Sequence, residues 1–276
     1  MYRIDNSTAT PTLPAPAAVG PNPDSYFTSG NPATSTPATV VDQDWANMVQ
    51  EELANVVTSS GQTLNKTDRG QVAAAIPMLI PHGMQGFSSS GTWTCPEKVF
   101  FAKIRIWGAG ASGGAGNGSG GAGSGGGGGE YREGVVPVEP GTSYPITIGA
   151  GGAAATGFAN GNDGGNSAFD SSVIIAVGGK AGEGANGALA PTGGIGGSGG
   201  SGGTTSIPGD PGGGAYTLSA SAVGGGQGGT SFSASTPGPS VMAPGIAGTT
   251  PGGGGNGGAN TNGSGAGANG YCIVEW

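Results

Sequence analysis

Gly193-Gly194-Ile195, Gly196-Gly197-Ser198, Gly199-Gly200-Ser201 and Gly202-Gly203-Thr204 follow one another without a break, and the triplet returns at Gly254-Gly255-Asn256 and Gly257-Gly258-Ala259. A polyproline-type helix has three residues per turn, so Gly-Gly-X places every side chain on one ridge and leaves two ridges of bare backbone. Such a helix has no internal hydrogen bonds, and its N–H and C=O groups must find neighbouring segments or water. Glycine costs roughly 0.5–1 kcal/mol per residue relative to alanine on ordering. All but six of the 65 glycines lie at or beyond Gly91. Two readings follow: bundled polyglycine II helices that bond to one another at about 1 kcal/mol net per bond, or a flexible Gly/Ser-rich linker.

What flanks the glycine favours order. Val99 to Trp107 reads as a strand in which Ile104 and Ile106 alternate with Lys103 and Arg105. Tyr131 to Val138, Tyr144 to Ile148, Ser167 to Phe169, Val173 to Val177 and Tyr271 to Trp276 have the same character, with Trp93 and Thr94 ahead of them. The glycine-rich stretches 108–129, 149–165 and 178–270 fall between these strands. The expected architecture is mainly β, an antiparallel β-sandwich over 82–276 carrying glycine-rich insertions.

Two other segments precede it. Residues 1–41 are rich in proline and small residues and read as an extended arm or a floppy tail, with Tyr2, Ile4, Tyr26 and Phe27 as anchors for a neighbouring subunit. Residues 42–81 read as helical: one helix over 42–58 capped by Asp42 or Asp44, a second from about Asp68 to Leu79. Trp45, Val49, Leu53 and Val56 or Val57 recur at helical spacing, as do Val72, Ile76 and Leu79. Helices this small bury little core alone, so their apolar stripes predict an assembly segment packed against copies of the chain around a symmetry axis.

Composition excludes several functions. Charged residues are 9% of the chain, the net charge is −8, and Asp210 is the one charged residue between Gly184 and Val274. The few scattered basic residues exclude a nucleic-acid surface, and the polar N-terminus does not read as a secretory signal. His82 is the sole histidine and sits beside Pro81, far from partners for a triad. Glu130, Glu133, Asp163 and Asp170 could supply paired carboxylates, but charges flanking strands are usually solvated. No metal-ligand cluster and no cofactor motif is expected, and Gly-x-Gly-x-x-Gly matches carry no weight in glycine this abundant. Cys95 lies near the first strand of the expected sandwich and Cys272 in the last; such strands often neighbour each other, so a disulfide is geometrically possible, while two buried thiols are expected in a reducing compartment.

Gly91-Thr92-Trp93-Thr94-Cys95-Pro96, Ile104-Arg105-Ile106-Trp107-Gly108-Ala109-Gly110, Gly129-Glu130-Tyr131, Pro140-Gly141-Thr142, Ile146-Thr147-Ile148-Gly149 and the closing Tyr271-Cys272-Ile273-Val274-Glu275-Trp276 resemble the glycine-rich domain of bacteriophage tail fibres. Tyr2-Arg3-Ile4-Asp5-Asn6, Tyr26-Phe27-Thr28, Asn31-Pro32-Ala33-Thr34 and Asp44-Trp45-Ala46-Asn47 resemble tail-fibre N-termini. The resemblance implies a virion protein made in the host cytoplasm, a homotrimer joined to a tail or baseplate protein by its N-terminus, and attachment to a bacterial outer-membrane protein or polysaccharide. It also implies that loops joining polyglycine helices can contact the receptor, as in the glycine-rich adhesins of T-even-like phages. Unlike those fibres, this chain has no long shaft between its two parts. Side chains large enough for recognition fall between the triplet runs, in 189–192, 204–211, 216–223 and 232–242, so Leu189, Ile207, Tyr216, Leu218, Phe232 and Met242 are the candidate receptor contacts. The competing readings are a purely structural adaptor or decoration protein and a tailspike that degrades surface polysaccharide; no catalysis is expected.

Overall fold

The computed structural model describes residues 2–19, 25–118, 120–185, 189–190, 192–219, 222–235, 237–238 and 240–276. The chain divides into two compact units, Met1–Ile80 and Pro81–Trp276.

In the first unit α1 spans Gln43–Ser59 and α2 spans Gln71–Leu79. The Asp42 carboxylate accepts the Trp45 N–H at 2.9 Å and caps α1. The second helix begins three residues later than its sequence suggests, because Asp68 turns its carboxylate onto the Gly70 N–H at 2.8 Å and forms a local turn instead of a cap. It ends at Ile80, whose extended backbone is the conformation that the following Pro81 favours. Ala54, Val57, Gln71 and Ala75 are the buried residues of the pair. Of the apolar stripe Val57 is buried, Val49, Val56, Val72 and Leu79 are half-buried, and Trp45, Met48, Leu53 and Ile76 are exposed.

The arm runs back onto α1. Arg3 grips Glu51 with two bonds of 2.7 Å, the Ile4 N–H donates to Gln50 at 2.7 Å, and the Ala17 N–H donates to Asp44 at 2.7 Å. The Arg3 guanidinium holds the Glu51 carboxyl below its ordinary range. Phe27 meets the Trp45 ring edge-on at 5.3 Å. Tyr2, Ile4, Tyr26 and Phe27 all remain exposed.

The second unit is mainly β, with every paired strand antiparallel. Its strands are β1 (Met84–Phe87), β2 (Gly91–Thr94), β3 (Phe101–Trp107), β4 (Tyr131–Pro137), β5 (Ser143–Thr147), β6 (Ser167–Phe169), β7 (Ile174–Ala176), β8 (Thr205–Ile207), β9 (Tyr216–Ser219), β10 (Ala222–Gly225), β11 (Ser240–Val241) and β12 (Tyr271–Glu275). Three sheets form, in the orders β1-β12-β3-β4-β8, β2-β5-β6-β7 and β11-β10-β9. The last strand is thus internal, placing Cys272 opposite Phe87 on one side and Ile106 on the other.

Alternation along β3 turns Ala102, Ile104 and Ile106 inward. They join Val136 and Val274 of the same sheet and Trp93, Ile146, Phe169 and Ile174 of the second in one buried cluster. Each such side chain contributes about 1.5–3 kcal/mol by leaving water. Cys95 and Cys272 lie in this cluster as free thiols. Burial pushes the Cys272 thiol up to about 12, so it is a neutral core group and a poor nucleophile at neutral pH.

The glycine-rich segments grow directly out of these strands and bond to one another with a period of three. Gly108, Ala111 and Gly114 donate to Glu130, Gly127 and Ser124 in turn. Their successors Ala109, Ser112 and Ala115 donate to Gly165, Asn162 and Ala159. Gly110, Gly113 and Gly116 donate to Ala268, Gly265 and Asn262. The carbonyls of the same run accept from three further segments: Ala109 from Gly179, Gly110 from Gly152, and Ala111 from Gly255. Segment 108–116 therefore has neighbours on six sides. Segment 123–130 repeats the arrangement, donating to 252–258, 177–183 and 210–213, and accepting from 108–114, 194–197 and 226–229.

Glycine is needed where these backbones meet. A Cβ at Gly113 would overlap the Asn256 carbonyl, and one at Gly126 would overlap the carbonyls of Ala111 and Ser112. Part of the first triplet run follows its spacing: Gly194 and Gly197 are buried and donate to Gly125 and Gly128, while Thr192, Ile195 and Ser198 face outward. The other triplets depart from it: Gly199, Gly202 and Gly203 take left-handed backbone, and Asn256 and Ala259 are fully buried among neighbouring segments. Buried polar side chains replace backbone bonds in places. Ser112 Oγ accepts the Asn162 N–H and Ser124 Oγ accepts the Glu183 N–H, at 2.8 and 2.7 Å.

Candidate functional site

The glycine bundle has two ends of different character. At the near end its segments continue into strands, at Gly108, Glu130, Val177 and Gly270. At the far end the chain reverses around Gly118, Gly157 and Asn260 and through the β9–β10 hairpin, where the bond from Gly118 to Asn260 and that from Asn260 to Gly121 tie two reversals together.

The near end holds the most buried charge. Glu130 is fully buried, contrary to the solvated position expected of a charge flanking a strand. Its carboxylate accepts the Val177 and Gly200 N–H groups at 3.0 Å each, and the Ser206 hydroxyl and Arg132 Nε at 2.9 Å each. Four donors fill its capacity, which makes it a clamp joining β7, β8 and the glycine segments. Tyr131 donates to Glu133 at 2.6 Å; burial, and then Glu133, raise the phenol, while the phenol bond holds Glu133 below its ordinary range. Asp163 pays some desolvation, but Lys180 at 2.8 Å and the Ala181 N–H outweigh it and keep its carboxyl low. Asp170 stands in the β6–β7 turn at φ 47°. The carboxylates of Glu130, Glu133 and Asp163 serve ion pairs and hydrogen bonds within the fold. Among the described residues no group of three metal-ligating side chains comes together, and no helix is long and apolar enough to cross a membrane.

The sequence candidates separate between the two ends. Phe232 and Ile207, expected on projecting loops, sit at the sheet end. The Phe232 ring stacks on Tyr131 at 4.5 Å and its carbonyl accepts the Trp107 indole N–H at 2.7 Å, while Ile207 pairs with Tyr131 as the last residue of β8. The aromatic cluster of Trp107 and Tyr131 captures Phe232. Leu189, Tyr216, Leu218 and Met242 lie at the far end. Leu189 packs on Ala122, Val223 and Ala259, and the half-buried Tyr216 ring covers Gly224. Leu218 is 56% exposed and Met242 is 44% exposed. Pro191, Ala220, Ser221, Thr236 and Pro239 of the candidate stretches lie outside the described residues.

One far-end residue escaped the sequence reading. Phe158 is 60% exposed in the reversal between 149–156 and 159–166 and holds φ 70°. Left-handed backbone costs a non-glycine residue roughly 1–2 kcal/mol, and a bulky side chain there is a true outlier. Met242 at φ 48° shares the strain, whereas Asn260 at φ 60° tolerates it. The available signal was Thr156-Gly157-Phe158-Ala159-Asn160, a large aromatic with no apolar neighbours at strand or helix spacing.

The profile of the glycine-rich domain family matches residues 86–276. The chain belongs to the glycine-rich domain family. The match covers nearly all of the second unit and none of the first. Uncharacterized protein StfP of Escherichia coli strain K12 is 41% identical over 80 residues, which is 29% of this chain and 35% of StfP. The chain thus spans about a third of that relative's length. In this glycine-rich domain protein Phe158 and Met242 combine exposure with left-handed backbone at the far end, while Met84, Phe100, Phe101 and Val135 are exposed on and beside the sheet strands.

Proposed function

We propose that this protein is a bacteriophage tail fibre: a homotrimer that joins a tail or baseplate protein through its N-terminal unit and binds the bacterial surface through the far end of its glycine bundle. The observation that carries the reading is the bundle's asymmetry. One end is anchored on the sheets, and the other presents Leu218, Met242 and Phe158 to solvent on short reversals.

In this reading the two larger sheets form a sandwich, and the glycine segments are polyglycine II helices. The rotation of hydrogen bonds through three neighbours every three residues supports the helix type. The exposed stripe of Trp45, Met48, Leu53 and Ile76 supports assembly, since two short helices leave that apolar surface for another subunit to cover. Tyr2, Ile4, Tyr26 and Phe27 remain available to the tail partner. The activity is recognition without catalysis, exercised in the virion.

Light scattering of the purified protein should give about three times the 26.0 kDa chain mass, and fluorescently labelled trimer should bind intact Escherichia coli K12 cells saturably. Leu218→Ser with Met242→Ser should weaken that binding by about tenfold or more without changing the trimer. A trimer that binds no cells would turn the reading toward a structural adaptor, and release of soluble saccharide from the cells would turn it toward a tailspike.

A further inference from the structure

Asparagine followed by glycine leaves its side-chain amide open to attack by the next backbone nitrogen, because glycine puts no Cβ beside that nitrogen. Five such pairs lie among the described residues: Asn117-Gly118, Asn160-Gly161, Asn256-Gly257, Asn262-Gly263 and Asn269-Gly270; Asn186-Gly187 lies outside them. Four of these glycines commit the N–H to the bundle. Gly118 donates to Asn260, Gly161 to Gly182, Gly257 to Gly226 and Gly270 to Gly149, at 2.8–3.0 Å. Gly263 differs: among the described residues nothing accepts its N–H. Asn262 and Gly263 are half-buried, within reach of water. Exposure alone would choose other pairs, since Asn160 and Asn269 are the exposed ones.

We propose that Asn262-Gly263 is a self-modification site, at which the unbonded Gly263 nitrogen closes on the Asn262 side chain and converts it to aspartate or isoaspartate. Hydroxide takes the Gly263 N–H proton, and the nitrogen attacks Cγ of Asn262. The Cγ–Nδ2 bond breaks, and Nδ2 takes a proton from water and leaves as ammonia. Water then opens the five-membered imide at either carbonyl, so that one water is consumed for each ammonia released. At the other four pairs the N–H must first be freed by local opening, which makes them slow. The product has a carboxylate where the amide stood. Asn262 Nδ2 donates to the Ala259 carbonyl at 2.7 Å, and a carboxylate has no donor to replace it. Isoaspartate also adds a methylene to the backbone ahead of Ser264, whose N–H donates to Ala155 at 2.9 Å and whose hydroxyl accepts from it at 2.8 Å. The change is one-way: it adds a negative charge and loosens this reversal. The inference does not depend on the tail-fibre reading.

The test incubates the purified full-length protein at mildly alkaline pH and follows each pair by peptide mass mapping, where conversion adds about 1 Da. Asn262 should convert at least about tenfold faster than Asn117, Asn160, Asn256 and Asn269. In concentrated urea, which frees every glycine N–H, the five rates should fall within about threefold of one another. Asn160 or Asn269 keeping pace with Asn262 in the folded protein would overturn the inference, because exposure would then decide. An intact Asn262 in folded protein, while the urea sample converts, would overturn it too. So would a tenfold lead of Asn262 that persists in urea, which would assign the rate to local sequence. The converted form, separated by anion exchange, should exchange the Ser264 amide hydrogen at least about threefold faster than the parent; equal exchange would overturn the loosening.

Discussion

Gly113→Ala should cost about 3 kcal/mol or more, whereas Gly213→Ala should be neutral or stabilising by up to about 1 kcal/mol. The two substitutions add the same methyl group to the same kind of segment. At Gly113 the new Cβ would overlap the carbonyl carbon and oxygen of Asn256, which belong to backbone fixed by its own bonds to Ile246 and Gly265. Relief requires the two segments to part. That breaks the Gly113 bond to Gly265 and its neighbours, each worth about 1 kcal/mol net, and leaves buried polar groups unpaired. At Gly213 the nearest atoms are at 3.4 and 3.7 Å, ordinary contact, and the gain is the reduced freedom of the unfolded chain. Urea denaturation of the two variants gives the comparison. Equal effects would show that the glycines serve flexibility and not close approach.

The second large effect is expected at Glu130. Glu130→Ala should destabilise the unit by about 2–4 kcal/mol, because it removes the buried partner of the half-buried Arg132. It also strands the Val177 and Gly200 N–H groups and the Ser206 hydroxyl. Glu130→Gln keeps one acceptor and sets an amide donor against donors already there, and should cost about 2 kcal/mol. The order Ala worse than Gln worse than wild type, read from denaturant midpoints, is the signature of a filled acceptor site. A loss below about 0.5 kcal/mol for Glu130→Ala, the range of ordinary surface substitutions, would contradict the clamp.

Much of this was legible beforehand for identifiable reasons. The strands β3 to β7 and β12 announce themselves through alternation and aromatic or β-branched residues bounded by glycine. Helix α1 announces itself through Asp42 and the recurrence of Trp45, Val49 and Leu53. What that recurrence could not say is which of its residues are covered; in the single chain Trp45 and Leu53 are exposed, Val49 is half-buried, and the buried contacts fall to Ala54 and Val57. Strands β8 to β11 were invisible because Thr205–Ile207 or Ser240–Val241 are too short for a pattern, and tertiary neighbours decide their pairing. The same holds for Glu130, whose four donors come from positions up to 76 residues away. Phe232 stacks on Tyr131 across about a hundred residues of sequence, and Phe158, which no strand or helix pattern marks, is left 60% exposed.

The central claim is that the glycine-rich segments form an ordered, mutually bonded bundle that holds the far end in place. Amide hydrogen exchange read by mass spectrometry tests it most directly. The account predicts that 109–116 and 123–130 exchange as slowly as β3, with fast exchange confined to the reversals around Gly120 and Gly157. Exchange across 109–116 and 123–130 at the rate of an unstructured peptide would contradict it and make the glycine a linker.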